Sequence, residues 1–269
     1  MKPLKNRIDT VFADLKKKKE KALIIYFTAG DPDIKETLKI LHTLVDAGAD
    51  LIEIGVPFSD PMGDGVSNQK AAERALKKKT NLKMIFSTVK EFRKTNTHTP
   101  LILFSYLNPV YNFGYGKFAE ACRSTGVDGG LFVDMPYDEE MPLQKSLSKE
   151  NIHTIFLAAP TTEDKRLKDI ARKTRGFLYA VSSMGVTGVR KDFEKGFSAY
   201  INKAKKYSSQ PVCVGFGIST PEMAKKASSV SDGVIVGSAV VNIIEKLGAS
   251  KKKMHLKLKS FVSSIKKSM

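Results

Sequence analysis

Apolar runs of four to seven residues recur along the chain, separated by longer stretches in which apolar residues return every three or four positions. Runs of strand length alternating with helix-period segments predict repeated βα units, because each helix carries the chain back to begin another parallel strand. The runs are Ala22 to Thr28, Leu51 to Gly55, Leu101 to Ser105, Gly130 to Asp134, Thr154 to Leu157, Phe177 to Val181, Val212 to Gly215 and Val234 to Gly237, eight in all. Between them, sets such as Leu38, Leu41, Leu44 and Val45, or Leu82, Ile85, Phe86, Val89 and Phe92, mark helices with one apolar face. Eight such units predict a closed (β/α)8 barrel of the TIM type. An open dinucleotide-binding sheet is disfavoured because Thr28-Ala29-Gly30-Asp31-Pro32 after the first strand is not a phosphate-loop fingerprint.

Two helices are expected beyond the eight units. Leu4, Ile8, Val11, Phe12 and Leu15 form an apolar stripe before the first strand, suited to covering the barrel floor, and Leu256 to Ile265 forms a basic helix after the last unit. No Pro-, Gly- or Ser-rich linker divides the chain, so residues 1–269 are expected to form a single barrel domain.

Composition narrows the function classes. The 269 residues are close to the roughly 250 of a typical barrel. Hydrophobic content of 42%, charged content of 27%, 19 Gly and 11 Pro exclude fibrous, disulfide-rich and disordered classes. The net charge of +17 sits largely in lysine runs at 16–19, 77–79 and 251–253 and in the C-terminal Lys257, Lys259, Lys266 and Lys267. These read as solvated helix faces, since no nucleic-acid module or interleaved aromatic residues accompany them. No apolar run approaches the ~20 residues of a membrane span. Neither a nucleic-acid nor a membrane partner is therefore expected, and the cytoplasm is the expected location. Cys122 and Cys213 lie far apart in apolar segments and are expected in the core. His42, His98, His153 and His255 are scattered without ligand spacing, so no metal site and no Ser-His-Asp triad are expected. What remains is chemistry by acids, bases and bound phosphate.

In a barrel, function gathers on the loops at the C-terminal ends of the strands. In Leu51-Ile52-Glu53-Ile54-Gly55, alternation puts Leu51, Glu53 and Gly55 on one face and Ile52 with Ile54 on the other, so a carboxylate interrupts an apolar strand. Glu53 is either a core acid paired with backbone or a basic side chain, or a buried proton-transfer group whose pKa burial raises. The next loop carries Asp60 and Asp64 among Gly and Pro, which suits Asx-turns or a segment that closes over a ligand. Gly185-Val186-Thr187-Gly188, Gly215-Phe216-Gly217-Ile218-Ser219 and Gly237-Ser238-Ala239 follow the sixth, seventh and eighth strands and together suggest an anion site.

The segments Phe27-Thr28-Ala29-Gly30-Asp31-Pro32, Glu53-Ile54-Gly55-Val56-Pro57-Phe58-Ser59-Asp60-Pro61, Tyr106-Leu107-Asn108-Pro109 and Gly185-Val186-Thr187-Gly188 stand in an order that resembles the tryptophan synthase alpha subunit family over essentially the whole chain. The resemblance implies retro-aldol cleavage of indole-3-glycerol phosphate to indole and glyceraldehyde 3-phosphate, with no cofactor in this subunit. It implies as partner a beta subunit that carries pyridoxal phosphate, in an alpha-beta-beta-alpha heterotetramer. Carried over residue by residue, Glu53 matches the general acid-base, Asp64 the carboxylate facing the indole N–H, and Tyr179 an active-site tyrosine. Phe27, Tyr106, Asp134 and Phe216 match pocket positions, Gly188, Gly217, Gly237 and Ser238 the phosphate contacts, and Thr187 the loop residue that closes onto the aspartate. Pro57, Phe58, Asp60, Asn108 and Pro109, in loops on the catalytic face, are expected near the partner.

One stretch departs from the family pattern. Gly63, Val66 and Asn68 replace a usual Ala, Pro and apolar residue around Asp64. The added backbone freedom predicts a looser loop and weaker cleavage, correctable by Ala at 63, Pro at 66 and Ile at 68, and leaves open an alpha subunit that acts mainly as an allosteric partner of beta. A different phosphate-binding barrel enzyme, such as a sugar-phosphate isomerase, is a further alternative that the Glu53 and Asp64 motifs disfavour.

Overall fold

The computed structural model describes residues 5–138, 142–181, 191–215 and 217–269, with the backbone alone for 191–195. Helix α1 (Arg7–Lys18) precedes strand β1 (Ala22–Thr28), and α2 (Ile34–Asp46) leads to β2 (Leu51–Gly55). Helices α3 (Val66–Lys77) and α4 (Leu82–Arg93) precede β3 (Leu101–Ser105), and α5 (Leu107–Phe113) and α6 (Tyr115–Thr125) precede β4 (Gly129–Phe132). Then follow α7 (Pro142–Lys149), β5 (His153–Ile155), β6 (Leu157–Ala158), α8 (Asp164–Lys173), β7 (Leu178–Val181), α9 (Lys191–Tyr207) and β8 (Val212–Gly215). Helix α10 (Pro221–Val230), β9 (Gly233–Val236), α11 (Ser238–Leu247) and α12 (Lys251–Ser268) complete the order.

All pairings are parallel, in the spatial order β5-β4-β3-β2-β1-β9-β8-β7-β6. The ends of that order, β5 and β6, are halves of one predicted strand interrupted only at Phe156. Arg175 N donates to Thr154 O at 3.0 Å and Tyr179 N to Phe156 O at 3.0 Å, so this broken strand closes the sheet into a barrel of eight staves. Phe156 itself is buried in the layer between barrel and helices.

Register fixes which side chains enter the barrel. Ile24 pairs with Leu51, and Tyr26 with Glu53, which in turn pairs with Ile102, so these side chains stack inward in layers. Ile24, Leu51, Ile102, Leu131, Ile155, Phe177, Cys213 and Ile235 form the interior cluster, while Ile25, Phe27, Ile52, Ile54 and Leu103 face the helices. The predicted helix before the first strand is a stopper: Ile8, Phe12 and Leu15 join the interior cluster, with the Phe12 and Phe177 rings 5.9 Å apart. Leu4 of that stripe lies outside the described residues. Asn6 caps α1 by accepting from Ile8 N, and its amide donates to Asp128 O and Asn151 O, both at 2.9 Å. Asp128 is itself a buried anchor, taking Arg7 at 2.8 Å, Arg93 at 2.9 Å and Leu101 N at 2.9 Å.

The basic C-terminal helix buries Met254, Leu258, Val262 and Ile265, one apolar stripe at helical spacing, while Leu256 is exposed. Part of its charge is matched against α2 and its flanks: Lys251 meets Asp33 at 3.0 Å and Glu36 at 3.1 Å, His255 meets Glu36 at 2.9 Å, and Lys266 meets Asp50 at 2.6 Å. Cys122 and Cys213 are buried as expected. Among the described residues no helix is long and apolar enough to cross a membrane.

Candidate active site

A cavity of about 400 Å³ opens where the strands end, and its floor is the upper inward layer of the barrel: Tyr26, Glu53, Phe104, Val133, Leu157, Tyr179, Val181 and Ile235. Its rim is made by Gly63, Asp64, Gly65 and Asn68 on one side and by Gly217, Ile218, Gly237 and Ser238 on the other. A second hollow, of about 500 Å³, lies at the stoppered end among Lys16, Lys19, Lys21 and Lys205. Two of these lysines are already engaged, Lys21 with Ser231 O and Lys205 with Asp232.

Among the described residues Glu53 is the one carboxylate on the cavity floor. It is 1% exposed, and its Oε1 has no hydrogen-bond partner among the described residues. Burial pushes its carboxyl up to about 8, so the group carries a proton at neutral pH and can both give and take one. A structural core acid in this barrel looks different. Asp31 is held by two bonds from Arg74, at 2.9 and 2.8 Å, and Asp128 by two arginines and a backbone amide. The paired-acid reading of Glu53 therefore finds no partner among the described residues.

Two tyrosines flank this carboxyl, and each is accommodated by a glycine. A Cβ on Gly55 would collide with the Tyr26 hydroxyl, and one on Gly215 with the Tyr179 hydroxyl. Gly215, grouped in the sequence with anion-binding glycines, thus clears space for Tyr179. Tyr26 stacks edge-on against Phe104 at 5.1 Å and shares a 3.3 Å hydrogen bond with Thr28 Oγ1. Both hydroxyls are raised well above the ordinary tyrosine range, chiefly by burial and further by the nearby charges of Asp64 and Glu53, and they remain protonated donors.

Asp64 reaches the cavity from the loop before α3 and is held from several sides. Its Oδ2 accepts from Tyr106 Oη at 3.3 Å, and its carbonyl accepts from Gln69 Nε2 at 2.8 Å. Burial raises its pKa, and the neighbouring Asn68 and Tyr106 side chains pull it back. Tyr106 also accepts from Gly63 N at 2.9 Å and packs on Phe58 with ring centroids 5.3 Å apart. It stands behind the loop and supports Asp64, so Tyr106 is a brace where the sequence suggested a pocket wall.

In the altered loop, expected to be slack, Gly63 leaves little room for a side chain. A Cβ at Gly63 would lie 2.6 Å from Val133 Cγ1 and 3.2 Å from Tyr106 Oη. A β-branched side chain at 133 can retreat little, so Ala at 63 does not fit this arrangement without a shift. Val66 is exposed at the first position of α3, where the missing N–H of a proline would cost nothing.

Several expected site residues lie elsewhere. Phe27 is fully buried among the helices, and its neighbour Tyr26 lines the cavity, because alternate side chains of β1 face opposite ways. Asp134 is exposed beyond β4 and accepts from Leu107 N at 2.8 Å, fixing the start of α5. Asn108 and Pro109, expected in a loop, belong to helix α5. Pro57 is buried and faces Pro109, Asn112 and Phe113 across a shallow groove, while Asp60 is exposed and accepts from Ser59 Oγ at 2.7 Å. Thr187, Gly188 and Phe216 lie outside the described residues. Gly217, Gly237 and Ser238 do meet at the rim, where the first turn of α11 presents N–H groups that the helix itself leaves unpaired. Among the described residues no group of three His, Cys, Asp or Glu is placed to hold a metal ion.

Comparison with known proteins agrees with this geometry. The profile of the tryptophan synthase alpha chain family matches residues 12–269. The tryptophan synthase alpha chain of Geotalea daltonii is 44% identical over 260 residues, 97% of either chain. That of Neisseria meningitidis serogroup B is 48% identical over 225 residues, 84% of this chain and 86% of its own. Among solved structures, tryptophan synthase subunit alpha from Legionella pneumophila superposes with a TM-score of 0.92 at 38% identity, covering 98% of both chains. A chain of the tryptophan synthase complex from Pyrococcus furiosus superposes with a TM-score of 0.81 at 39% identity, covering 91% of this chain and 97% of that one.

Proposed function

Since the chain belongs to the tryptophan synthase alpha chain family, we propose that its mouth cavity cleaves indole-3-glycerol phosphate into indole and glyceraldehyde 3-phosphate, as a carbon–carbon lyase. The observation that carries this reading is the buried Glu53 carboxyl on the cavity floor, whose Oε1 has no hydrogen-bond partner among the described residues, with the Asp64 carboxylate on the rim.

The substrate's phosphate is held at the first turn of α11 by Gly237 and Ser238, with Gly217 opposite, and its indole lies among Phe104, Val133, Leu157 and Tyr179. Protonated Glu53 gives its proton to the ring carbon that bears the side chain, and the ring becomes an iminium-like cation. Asp64 accepts the ring N–H and stabilises that positive charge as it develops in a site poor in water. The bond between ring and side chain then breaks, its electrons returning to the ring. The adjacent hydroxyl becomes the aldehyde, and its proton passes to the Glu53 carboxylate, which restores the starting state. Protonated Tyr26 and Tyr179 flank this exchange. No cofactor enters these steps. In this reading pyridoxal phosphate belongs to a beta subunit, which joins indole to serine.

The partner docks on the mouth side. Pro57 and Pro109 line a groove there, Phe58 stacks on Tyr106, and Asp60 and Asn108 are exposed beside Met62 and Tyr111, which stand 92% and 69% open to solvent. Residues 1–269 act as one domain in this scheme, in the cytoplasm. Against the alternative of a subunit too slack to cleave stand the bonds from Tyr106 to the Asp64 carboxylate and from Gln69 to its carbonyl.

Incubating the purified chain with indole-3-glycerol phosphate, alone and with its cognate beta chain, tests the proposal. Indole release is expected in both cases and faster with beta. No release in either case rejects the lyase, and no co-sedimentation at micromolar concentration rejects the partner.

A further inference from the structure

With a phosphate held after β8 and β9, the order of the staves decides where the other end of an indole substrate lies. Around the closed ring, β4 stands four staves from β9 and β3 four staves from β8 in either direction. The wall across the mouth from Gly217, Gly237 and Ser238 is therefore Phe104 of β3 and Val133, which directly follows β4. Both side chains are half-buried, packed on the interior cluster below and lining the cavity above. The Phe104 ring is backed edge-on by Tyr26. Val133 is fixed by its backbone N–H, which donates to Ser105 O at 3.0 Å, and by its fit to the opposite loop: its Cγ1 fills the space beside Gly63, where a Cβ would stand 2.6 Å away. A β-branched side chain has few other rotamers to adopt, so this methyl is a rigid part of the wall. Gly63 directly precedes Asp64, which puts the methyl in the corner between that carboxylate and the far wall. On an indole whose nitrogen faces Asp64 and whose three-carbon chain runs to the phosphate site, the atom in that corner is C7, the benzo carbon next to the nitrogen.

We propose that Val133 determines which indole rings the site accepts: its methyl group, wedged against Gly63, takes the room that a substituent on C7 would need, so the cavity selects rings unsubstituted beside the nitrogen. This rests on the lyase reading above for the direction in which the substrate lies, and it gives Val133 no part in proton transfer. A substituent on C5, on the edge of the benzo ring away from the nitrogen, points away from Gly63 and does not meet this methyl.

The chain contains no tryptophan, so the fluorescence of an indole ligand reports its own binding. The probes are 3-(indol-3-yl)propyl phosphate and its 5-methyl and 7-methyl derivatives, none of which can be cleaved. They are titrated with the parent, with Val133→Ala, and with Val133→Thr, which keeps the forked shape. Val133→Ser stands in if Val133→Ala does not fold. The parent is expected to bind the 7-methyl ligand at least about tenfold more weakly than the unsubstituted one. Val133→Ala should recover most of that loss and change the relative affinity of the 5-methyl ligand by no more than about twofold, while Val133→Thr keeps the penalty. Equal binding of the unsubstituted and 7-methyl ligands by the parent overturns the inference. So does a penalty that the small variant leaves in place, or relief that is the same at both ring positions. Indole release from indole-3-glycerol phosphate is measured alongside. A chain that releases none yet shows the 7-methyl pattern loses the lyase reading and keeps this one, and a chain that binds none of the probes loses both.

Discussion

The Tyr179 hydroxyl fills the volume that a side chain on Gly215 would need. The two residues stand on neighbouring staves, β7 and β8, at the level of the cavity floor, so the glycine sets how far the tyrosine leans over Glu53. Gly215→Ala is expected to displace Tyr179, to cost about 1–3 kcal/mol by overpacking and to slow turnover at least about tenfold. Urea unfolding and initial rates check this. A variant as stable and as fast as the parent shows that Tyr179 is not confined by Gly215.

Glu53→Gln is expected to keep the fold and lose about 10²- to 10⁴-fold in turnover. Its effect on stability has a definite sign. Folded Glu53 holds its proton up to about 8, while in the unfolded chain it releases it near 4.5. Between those values the folded state binds more protons, so stability falls as pH rises through the window, by on the order of 4–5 kcal/mol in total. The amide lacks this slope. Urea unfolding at pH 5, 7 and 9 should therefore show the variant gaining on the parent with pH, and parallel profiles would contradict a buried, unpaired Glu53.

Gly63→Ala should not speed the enzyme. Its Cβ meets Val133, and a loss of about 1–3 kcal/mol with slower turnover is expected. Val133→Ala opens that space, so the double variant should be more stable than the two single losses predict, with a coupling of at least about 0.5 kcal/mol. Strict additivity would show that the two positions do not touch.

Val66→Pro should stabilise the chain by about 0.4–1 kcal/mol by restricting the unfolded state. Gly65 is already extended, at φ −70 and ψ 159, as a residue before proline requires. Turnover should stay within a few-fold of the parent, and a drop in melting temperature would contradict the compatible backbone.

The barrel was legible because period-2 and period-3.6 patterns alternate cleanly, and the inward face of β2 was legible because Glu53 breaks an apolar run. The inward face of β1 was harder. Every residue of that strand is buried, so polarity does not say which side faces the lumen, and matching by motif stepped from Tyr26 to Phe27. Pairing with Glu53 across the sheet decides it. Asp134 misled for a related reason. An acid at a strand end serves a pocket or a helix start equally well on paper, and the Leu107 N–H claims it. Gly63 read as freedom because a sequence does not show Val133 above it.

The plug formed by Ile8, Phe12 and Leu15 makes the barrel a bottle with a single neck. Asn6, bonded to carbonyls 122 and 145 residues away, works as the wire over its cork. Whatever is held against Glu53 enters and leaves past the same lip, so a product released there meets first whichever molecule is seated on that lip. Transfer to a second enzyme then requires no passage through the wall of this one, and the traffic can be governed by what closes the neck.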